Sequence, residues 1–193
     1  MKPNEIRSVE ELTQLVASGL RAKYQFFWGH TPRVPGKIDQ SCLSNWFPTK
    51  FTVDNIEYPT TEHFMMAEKA RLFDDSDIRS QILCAGSPGA AKSLGRKVKG
   101  FDEDLWIAHR FEIVIRGNEA KFSQNASMRE YLASTGTKIL VEASPPDRIW
   151  GIGMAQDDER AANPKLWRGL NLLGFALMEV RHRICLTNED KQQ

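Results

Sequence analysis

A carboxylate and an amine, Glu62 and Lys69, stand seven residues apart in a stretch that is typical of a helix start. Pro59 ends the preceding segment. The hydroxyl of Thr60 or Thr61 can then accept a hydrogen bond from one of the first free amides of the helix. Glu62 then falls in the first turn, where the helix dipole favours a carboxylate. Seven residues return to the same helix face about 10 Å further along the axis. The pair suits acid–base or nucleophilic chemistry; the alternative is that both charges only complement the helix dipole.

A second carboxylate, Asp147, follows two prolines and precedes the segment Trp150–Gly153. Glycine lets a backbone come close to a ligand, so Gly151 and Gly153 are compatible with a binding loop. The alternative is that both glycines serve turn geometry and that Trp150 is a core residue. Trp106 has the same two interpretations, because an indole can stack on a base or fill a core.

The sequence contains no metal-binding motif, no phosphate-binding loop and no dinucleotide fingerprint. Its histidines lack the spacing of metal ligands: His30, His63, His109 and His182. Its cysteines are three in number and widely spaced, which fits neither a disulfide framework nor a zinc site: Cys42, Cys84 and Cys185. We therefore expect neither a metal nor a cofactor.

The composition is that of a globular protein, with 193 residues, 41% hydrophobic and 26% charged. A net charge of +1 argues against a protein that mainly grips long nucleic acid, but not against a small phosphorylated ligand. No apolar run is long enough for a membrane helix, and the first residues lack the apolar region of a secretory signal. We expect a cytoplasmic protein that neither enters a membrane nor needs an obligate protein partner.

Apolar spacing and capping residues predict a single helix-rich α+β domain with small, mainly antiparallel sheet pieces. Helices are predicted over residues 8–19, 62–70, 77–84, 103–122, 125–134 and 165–184, with another beginning at 88. A hairpin turning at Asp54-Asn55 is predicted over residues 51–58, and strands near 24–28 and 138–143. We expect Gly117-Asn118 to bend the longest helix.

An ordered set of short motifs extends across most of the chain. The motifs are Leu43-Ser44-Asn45-Trp46, Tyr58-Pro59-Thr60-Thr61-Glu62-His63, Lys69-Ala70, Trp106, Ala120-Lys121-Phe122, Glu142-Ala143-Ser144, Asp147, Trp150-Gly151-Ile152-Gly153 and Trp167-Arg168-Gly169-Leu170-Asn171-Leu172-Leu173-Gly174. From about Gln25 to Arg183 this set closely resembles the NADAR family, also called YbiA-like. Leu170 stands where many members would have lysine. The resemblance implies a NADAR domain over 25–186, an N-terminal helical extension over 1–24 and a polar tail over 187–193.

The resemblance implies an N-glycosidase. Bacterial members of this kind are associated with hydrolysis of early riboflavin-pathway intermediates, which are ribosylamino-pyrimidine phosphates, to an aminopyrimidine and ribose 5-phosphate. Other members remove ADP-ribose from guanine bases. Both reactions break the C1–N bond of a phosphorylated ribose, through a transition state with positive charge on the sugar.

The residues suit that chemistry. Glu62 can stabilise the positive charge or act as a base for water, and Asp147 can bond ribose hydroxyls or transfer a proton. Lys69 can hold phosphate, orient Glu62, or attack C1 of a ring-opened ribose as a Schiff-base nucleophile. The predicted binding residues are Ser44, Asn45, Trp106, Trp150, Gly151 and Asn171.

Our hypothesis is an N-glycosidase of ribosylamino-pyrimidine phosphates. One alternative is a hydrolase that removes ADP-ribose from guanine in nucleic acid. Another is a binding module for ADP-ribose or nucleotides without catalytic activity. In the simplest alternative, a scaffold protein, the same residues belong to the core.

Overall fold

The structure is a computed structural model that describes residues 5–189. The chain divides into two compact units. The first unit contains the residues up to Ser44 and those from Ser127 onward, and the second contains Asn45–Ala126. Within residues 5–189 there are seven α-helices and two sheets of two strands each, which confirms the predicted helix-rich α+β class.

The first unit is built around a short parallel strand pair. Strand β1 (Tyr24–Phe27) pairs with β4 (Ile139–Glu142), with Tyr24 opposite Ile139 and Phe27 opposite Glu142. The last helix, α7 (Leu172–Glu189), packs against β4. The remaining elements of this unit are α1 (Val9–Ala17), α6 (Ala126–Ser134) and 3-10 turns at Gln40–Leu43 and Pro164–Leu166.

The second unit is built around one buried helix. Its antiparallel hairpin consists of β2 (Phe51–Val53) and β3 (Ile56–Tyr58), and leads into α2 (Thr61–Leu72). Helix α2 is buried along most of its length and packs against α3 (Ser76–Leu83), α4 (Pro88–Gly95) and α5 (Glu103–Gln124). The hydrophobic effect of this burial therefore fixes the position of α2 among its neighbours.

Local capping signals predicted most of the helix starts. In each of four helices a side-chain oxygen accepts a hydrogen bond from the amide three residues later, as an N-cap should. These caps are Ser8, Thr60, Ser87 and Asp102. The hairpin turn is also confirmed, because Asp54 and Asn55 both have the positive φ that a tight two-residue turn requires, at 51° and 62°.

Two details of the prediction were wrong, the direction of the β1–β4 pairing and the start of α7. The pair β1–β4 is parallel, so only the hairpin fits the expected antiparallel pairing. Helix α5 continues through Gly117, where the glycine permits close packing: a Cβ there would lie 2.5 Å from Cδ1 of Phe64. Helix α7 begins at Leu172 rather than 165, because Asn171 has a φ of 52° that a helix cannot accommodate.

The predicted polar tail falls partly outside the residues that the structure describes. Helix α7 continues to Glu189, and 190–193 lie beyond the described range, as do the first four residues of the predicted N-terminal extension. None of the helices in the described range is long and apolar enough to cross a membrane.

Candidate active site

Glu62 lies in the first turn of α2, inside the second unit. The Thr60 hydroxyl caps the helix by accepting from the His63 amide, at 3.3 Å. The amide of Glu62 itself donates to the backbone carbonyl of Asn45, at 2.9 Å. The side chain is only 3% exposed, so its carboxylate is buried where the peptide dipoles of α2 stabilise a negative charge.

His63, the next residue, is a structural clamp. Its Nε2 lies 3.0 Å from the carbonyl of Ala85, which can only accept, so Nε2 carries the proton. Its Nδ1 then accepts from the hydroxyl of Thr60, at 2.7 Å. Burial lowers the pKa of His63, and the neutral ring joins the start of α2 to the chain after α3.

Lys69 places its amine among aromatic rings. Its Nζ donates to the carbonyl of Gly95 at 3.0 Å, and lies 4.1 Å from the ring centroid of Phe101 and 5.6 Å from that of Trp106. Burial lowers the pKa of this amine. Within the described part of the chain, Lys69 forms no ion pair with a carboxylate. Its contacts therefore do not support the predicted role in which Lys69 orients Glu62.

The other buried acid of α2, Glu68, has a different environment. It is as buried as Glu62, at 3% exposed, and its carboxylate accepts from Arg71 at 2.9 Å and Arg116 at 3.3 Å. Its charge therefore serves an ion-pair network. Because Glu68 lies on the same helix as Glu62 and is equally buried, it provides a matched control for substitutions of Glu62.

Two polar residues that were not among the predicted site residues, Asn118 and Lys121, lie inside the second unit. The Asn118 amide donates to Oδ1 of Asn45 at 3.1 Å and to the carbonyl of Val114 at 3.0 Å. Lys121, one turn later on α5, is wholly buried. Asn45 is thus fixed to α5 by its side chain and to the Glu62 turn by its carbonyl. The signal was present, since Lys121 belongs to one of the recognised motifs.

In the first unit, Asp147 shapes a tight turn. Its Oδ1 accepts from the amides of Ile149, at 2.9 Å, and Trp150, at 2.8 Å. Its carbonyl accepts from the amide of Gly153, whose φ of 68° closes the turn. One carboxylate oxygen of Asp147 therefore organises the backbone around Trp150, which is itself half-buried.

The two glycine-containing motifs of this unit pair with each other. The amides of residues 168 and 170–173 donate to carbonyls between residues 148 and 152 at 2.9–3.2 Å. A Cβ on Gly151 would lie 2.8 Å from the carbonyl oxygen of Glu142, and one on Gly169 would lie 2.3 Å from that of Gly151. These glycines permit an approach between backbones that a side chain would block.

Asn171 is wholly buried and clamps the end of β4. Its Oδ1 accepts from the amide of Glu142 at 3.0 Å, and its Nδ2 donates to the carbonyl of Leu140 at 2.9 Å. Both ends of its amide therefore serve the backbone. This arrangement assigns Asn171 a positioning role in addition to the predicted role in binding.

The predicted site residues divide between the two units. Glu62, Asn45, Lys69 and Trp106 belong to the second unit, where they lie on α2, on the segment before the hairpin and at the start of α5. Those of the first unit are Ser44, Asp147, Trp150, Gly151 and Asn171. Ser44 is 7% exposed and ends the 3-10 turn at Gln40–Leu43. Over residues 5–189 no three His, Cys, Asp or Glu side chains are grouped to hold a metal ion.

Comparison with known proteins shows the family to which the chain is related. The NADAR domain family matches residues 26–185. N-glycosidase R617 of Acanthamoeba polyphaga mimivirus is 40% identical over 164 residues, which are 82% of this chain and 95% of that protein. The chloroplastic riboflavin biosynthesis protein PYRR of Zea mays is 35% identical over 138 residues, which are 68% of this chain and 20% of the maize protein.

A solved structure has the same fold. The NMR structure of the E. coli protein YbiA aligns with a TM-score of 0.70 at 24% identity, covering 97% of this chain and 94% of YbiA. The sequence relationship and the similarity of fold both point to the same family. The chain belongs to the NADAR family, has a YbiA-like fold, and is a hydrolase that acts on N-glycosyl bonds.

Proposed function

We propose that this protein hydrolyses the C1–N bond of ribosylamino-pyrimidine phosphates, releasing an aminopyrimidine and ribose 5-phosphate. The observation that carries the proposal is the environment of Glu62, a carboxylate buried in the first turn of α2 on the same helix as the amine of Lys69. The substrate class is supported by the maize relative, part of which matches this chain and whose name places it in riboflavin biosynthesis.

In the reaction the C1–N bond breaks and its electron pair leaves with the nitrogen, which takes up a proton. A water molecule adds to C1 and loses a proton. Positive charge develops on the ribosyl carbon between these events, and a nearby carboxylate stabilises it. We assign that stabilisation, or the removal of the proton from water, to Glu62. Asp147 is the second carboxylate, for the ribose hydroxyls or for proton transfer.

Lys69 supports a covalent variant of this route. In a ring-opened ribosylamine, C1 is joined to the pyrimidine nitrogen as an imine. The neutral Lys69 amine adds to C1 and expels the aminopyrimidine, which leaves an imine between Lys69 and ribose 5-phosphate that water then hydrolyses. The amine is suited to this step because burial lowers its pKa and no carboxylate in the described range holds it. We assign contacts with the sugar and base to Ser44, Asn45, Trp106 and Trp150.

The test is the release of ribose 5-phosphate from freshly prepared ribosylamino-pyrimidine phosphate. Wild-type protein should release it, and Glu68→Gln should retain turnover per folded molecule because Glu68 serves an ion-pair network. Absence of release by folded wild-type protein would overturn the substrate class. Release of ADP-ribose from ADP-ribosyl-guanine DNA would then identify the first alternative, and saturable ADP-ribose binding without product the second.

A further inference from the structure

Two consecutive buried residues of α5, Gly117 and Asn118, contact the segments on either side of Glu62. Gly117 meets the start of α2, since a Cβ there would lie 2.5 Å from Cδ1 of Phe64 and 3.1 Å from Cγ2 of Thr61. The glycine therefore lets α5 come close to the first turn of α2, which carries Glu62.

Asn118 holds the segment that receives the Glu62 amide. Its Nδ2 donates to Oδ1 of Asn45 at 3.1 Å, and also to the carbonyl of Val114, one turn earlier, at 3.0 Å. The backbone carbonyl of Asn45 in turn accepts from the amide of Glu62 at 2.9 Å. That amide is one of the first-turn donors that a helix cannot satisfy itself. Asn118 is thus connected to the backbone of Glu62 through a single residue.

Stability alone does not explain an amide side chain at position 118. Asn118 is wholly buried, and its Oδ1 accepts no hydrogen bond from any residue of the described range. A buried polar atom without a partner lowers the stability of the fold, a cost that an apolar side chain of similar size avoids. The effect of Asn118 on its polar neighbours explains the residue better than its contribution to the core.

We propose that Asn118 is a positioning residue for the N-glycosidase reaction: through Asn45 it fixes the first turn of α2 and with it the Glu62 carboxylate. This inference rests on the proposed role of Glu62 in that reaction. A carboxylate that stabilises charge in the transition state must be held in place before the charge develops. Asn118 acts on the placement of Glu62 and not on the substrate, so its loss should lower kcat and leave KM unchanged.

Steady-state release of ribose 5-phosphate by the full chain, with Tm measured beside it, tests the proposal. In Asn118→Leu, kcat should fall about tenfold and KM should stay within about twofold of the wild-type value, because a transition-state group is misplaced. Tm should change little, because leucine removes the unpaired Oδ1 but also removes the donor to Asn45. Asn118→Ser, whose smaller side chain cannot overpack the core, should show the same separation of kcat from KM.

Asn125 provides a matched control at the end of the same helix. Its Nδ2 donates to the carbonyl four residues earlier at 2.8 Å, as that of Asn118 does at 3.0 Å, and its Oδ1 accepts from the hydroxyl of Thr49 at 3.2 Å. Among the described residues, none of its hydrogen bonds involves Asn45. Asn125→Ala should therefore lower Tm and leave kcat unchanged.

Amide hydrogen exchange at Glu62 gives a second readout that needs no substrate. The rate is taken relative to that of Ala67, a wholly buried residue of the same helix, so that global unfolding cancels. In Asn118→Leu the carbonyl that holds the Glu62 amide is less constrained, and the relative rate should rise about tenfold. In Asn125→Ala it should equal the wild-type value.

Faster relative exchange at Glu62 together with a lower kcat in Asn118→Leu supports the proposal. Unchanged exchange overturns it, as does faster exchange with full kcat. A raised KM at constant kcat also overturns it, and would assign Asn118 to substrate contact through Asn45. If wild-type protein releases no ribose 5-phosphate, the proposed substrate fails; faster exchange in Asn118→Leu then still supports the fixing of Glu62 by Asn118, and unchanged exchange removes it.

Discussion

The predicted site residues of the two units differ in what their polar atoms do. In the second unit, Glu62 is buried at a helix start and Lys69 keeps its amine among aromatic rings. In the first unit, Asp147 and Asn171 use their side chains to hold backbone amides and carbonyls, and Gly151 lets two backbones approach. Residues of one family motif set therefore differ in their contacts: those of the first unit bond the backbone, and Lys69 in the second unit lies beside aromatic rings.

The largest effects that we expect come from Lys69→Met and Glu62→Gln. If Lys69 acts on C1, turnover should fall about a hundredfold or more, as when one group that acts in the transition state is removed. Borohydride should trap a ribose 5-phosphate adduct on wild-type protein, detected by mass spectrometry, and none on the variant. Trapping should become faster as pH rises towards the lowered pKa of Lys69, because the neutral amine is the nucleophile.

The control for this prediction is Lys69→Arg, which retains the positive charge but cannot form an imine. It should be as inactive as Lys69→Met. Activity close to wild type would instead assign Lys69 to phosphate binding and would contradict the covalent route.

Glycine substitutions should show the geometric role of the first unit. A Cβ at Gly169 would meet backbone atoms, 2.3 Å from the Gly151 oxygen, so Gly169→Ala should cost about 3 kcal/mol of unfolding free energy. A Cβ at Gly95 would meet the side chain of Met66 rather than backbone atoms, and alanine favours a helix, so Gly95→Ala should cost less than Gly169→Ala. Urea denaturation measures both values, and equal losses would contradict the distinction.

Substitutions of Asn171 separate the stability contributed by its side-chain hydrogen bonds from the stability that depends on its backbone conformation. Asn171→Gly tolerates the φ of 52° but loses both bonds to β4, and should cost about 2 kcal/mol. Asn171→Ala adds the strain of that φ, roughly 1 kcal/mol more. Turnover per folded molecule should fall much less than in Lys69→Met. A thermal unfolding series with turnover measured beside it tests this; inactive but fully stable variants would assign Asn171 to the chemistry.

The smallest effect concerns His63 and pH. Because burial lowers its pKa in the folded state, the unfolded state binds a proton more tightly. Stability should therefore fall as pH drops below about 6.5, the ordinary value, and the loss should be complete below the folded pKa. The difference in Tm between wild type and His63→Gln, measured from pH 8 to 5, should narrow towards acid. A constant difference would contradict a neutral, buried ring.

Local signals in the sequence predicted most of the helix starts and the hairpin. Thr60 and Ser87 cap helices because their hydroxyls lie within three residues of the amides they accept from, a relation that sequence alone contains. The same holds for the Asp54-Asn55 turn. The helix caps and the hairpin turn depend on residues that are close in sequence, and for this reason the sequence alone could predict them.

The features that sequence reasoning missed depend on distant residues. The parallel pairing of Tyr24 with Ile139 joins segments more than a hundred residues apart. Gly117 serves contact with Phe64, and Asn171 binds the backbone of β4 thirty residues earlier. For the predicted site, the motif set contains Glu62, Lys69, Asp147 and Asn171 alike, and only the structure shows how their contacts differ.

The most direct test compares Glu62→Gln with Glu68→Gln, which remove the same charge from equally buried positions on one helix. Turnover of ribosylamino-pyrimidine phosphate and Tm are measured for both variants. Loss of turnover by about 10²- to 10³-fold in a folded Glu62→Gln, with Glu68→Gln less stable but active, is the result that we predict. Full turnover in Glu62→Gln would contradict the assignment of Glu62 to the reaction.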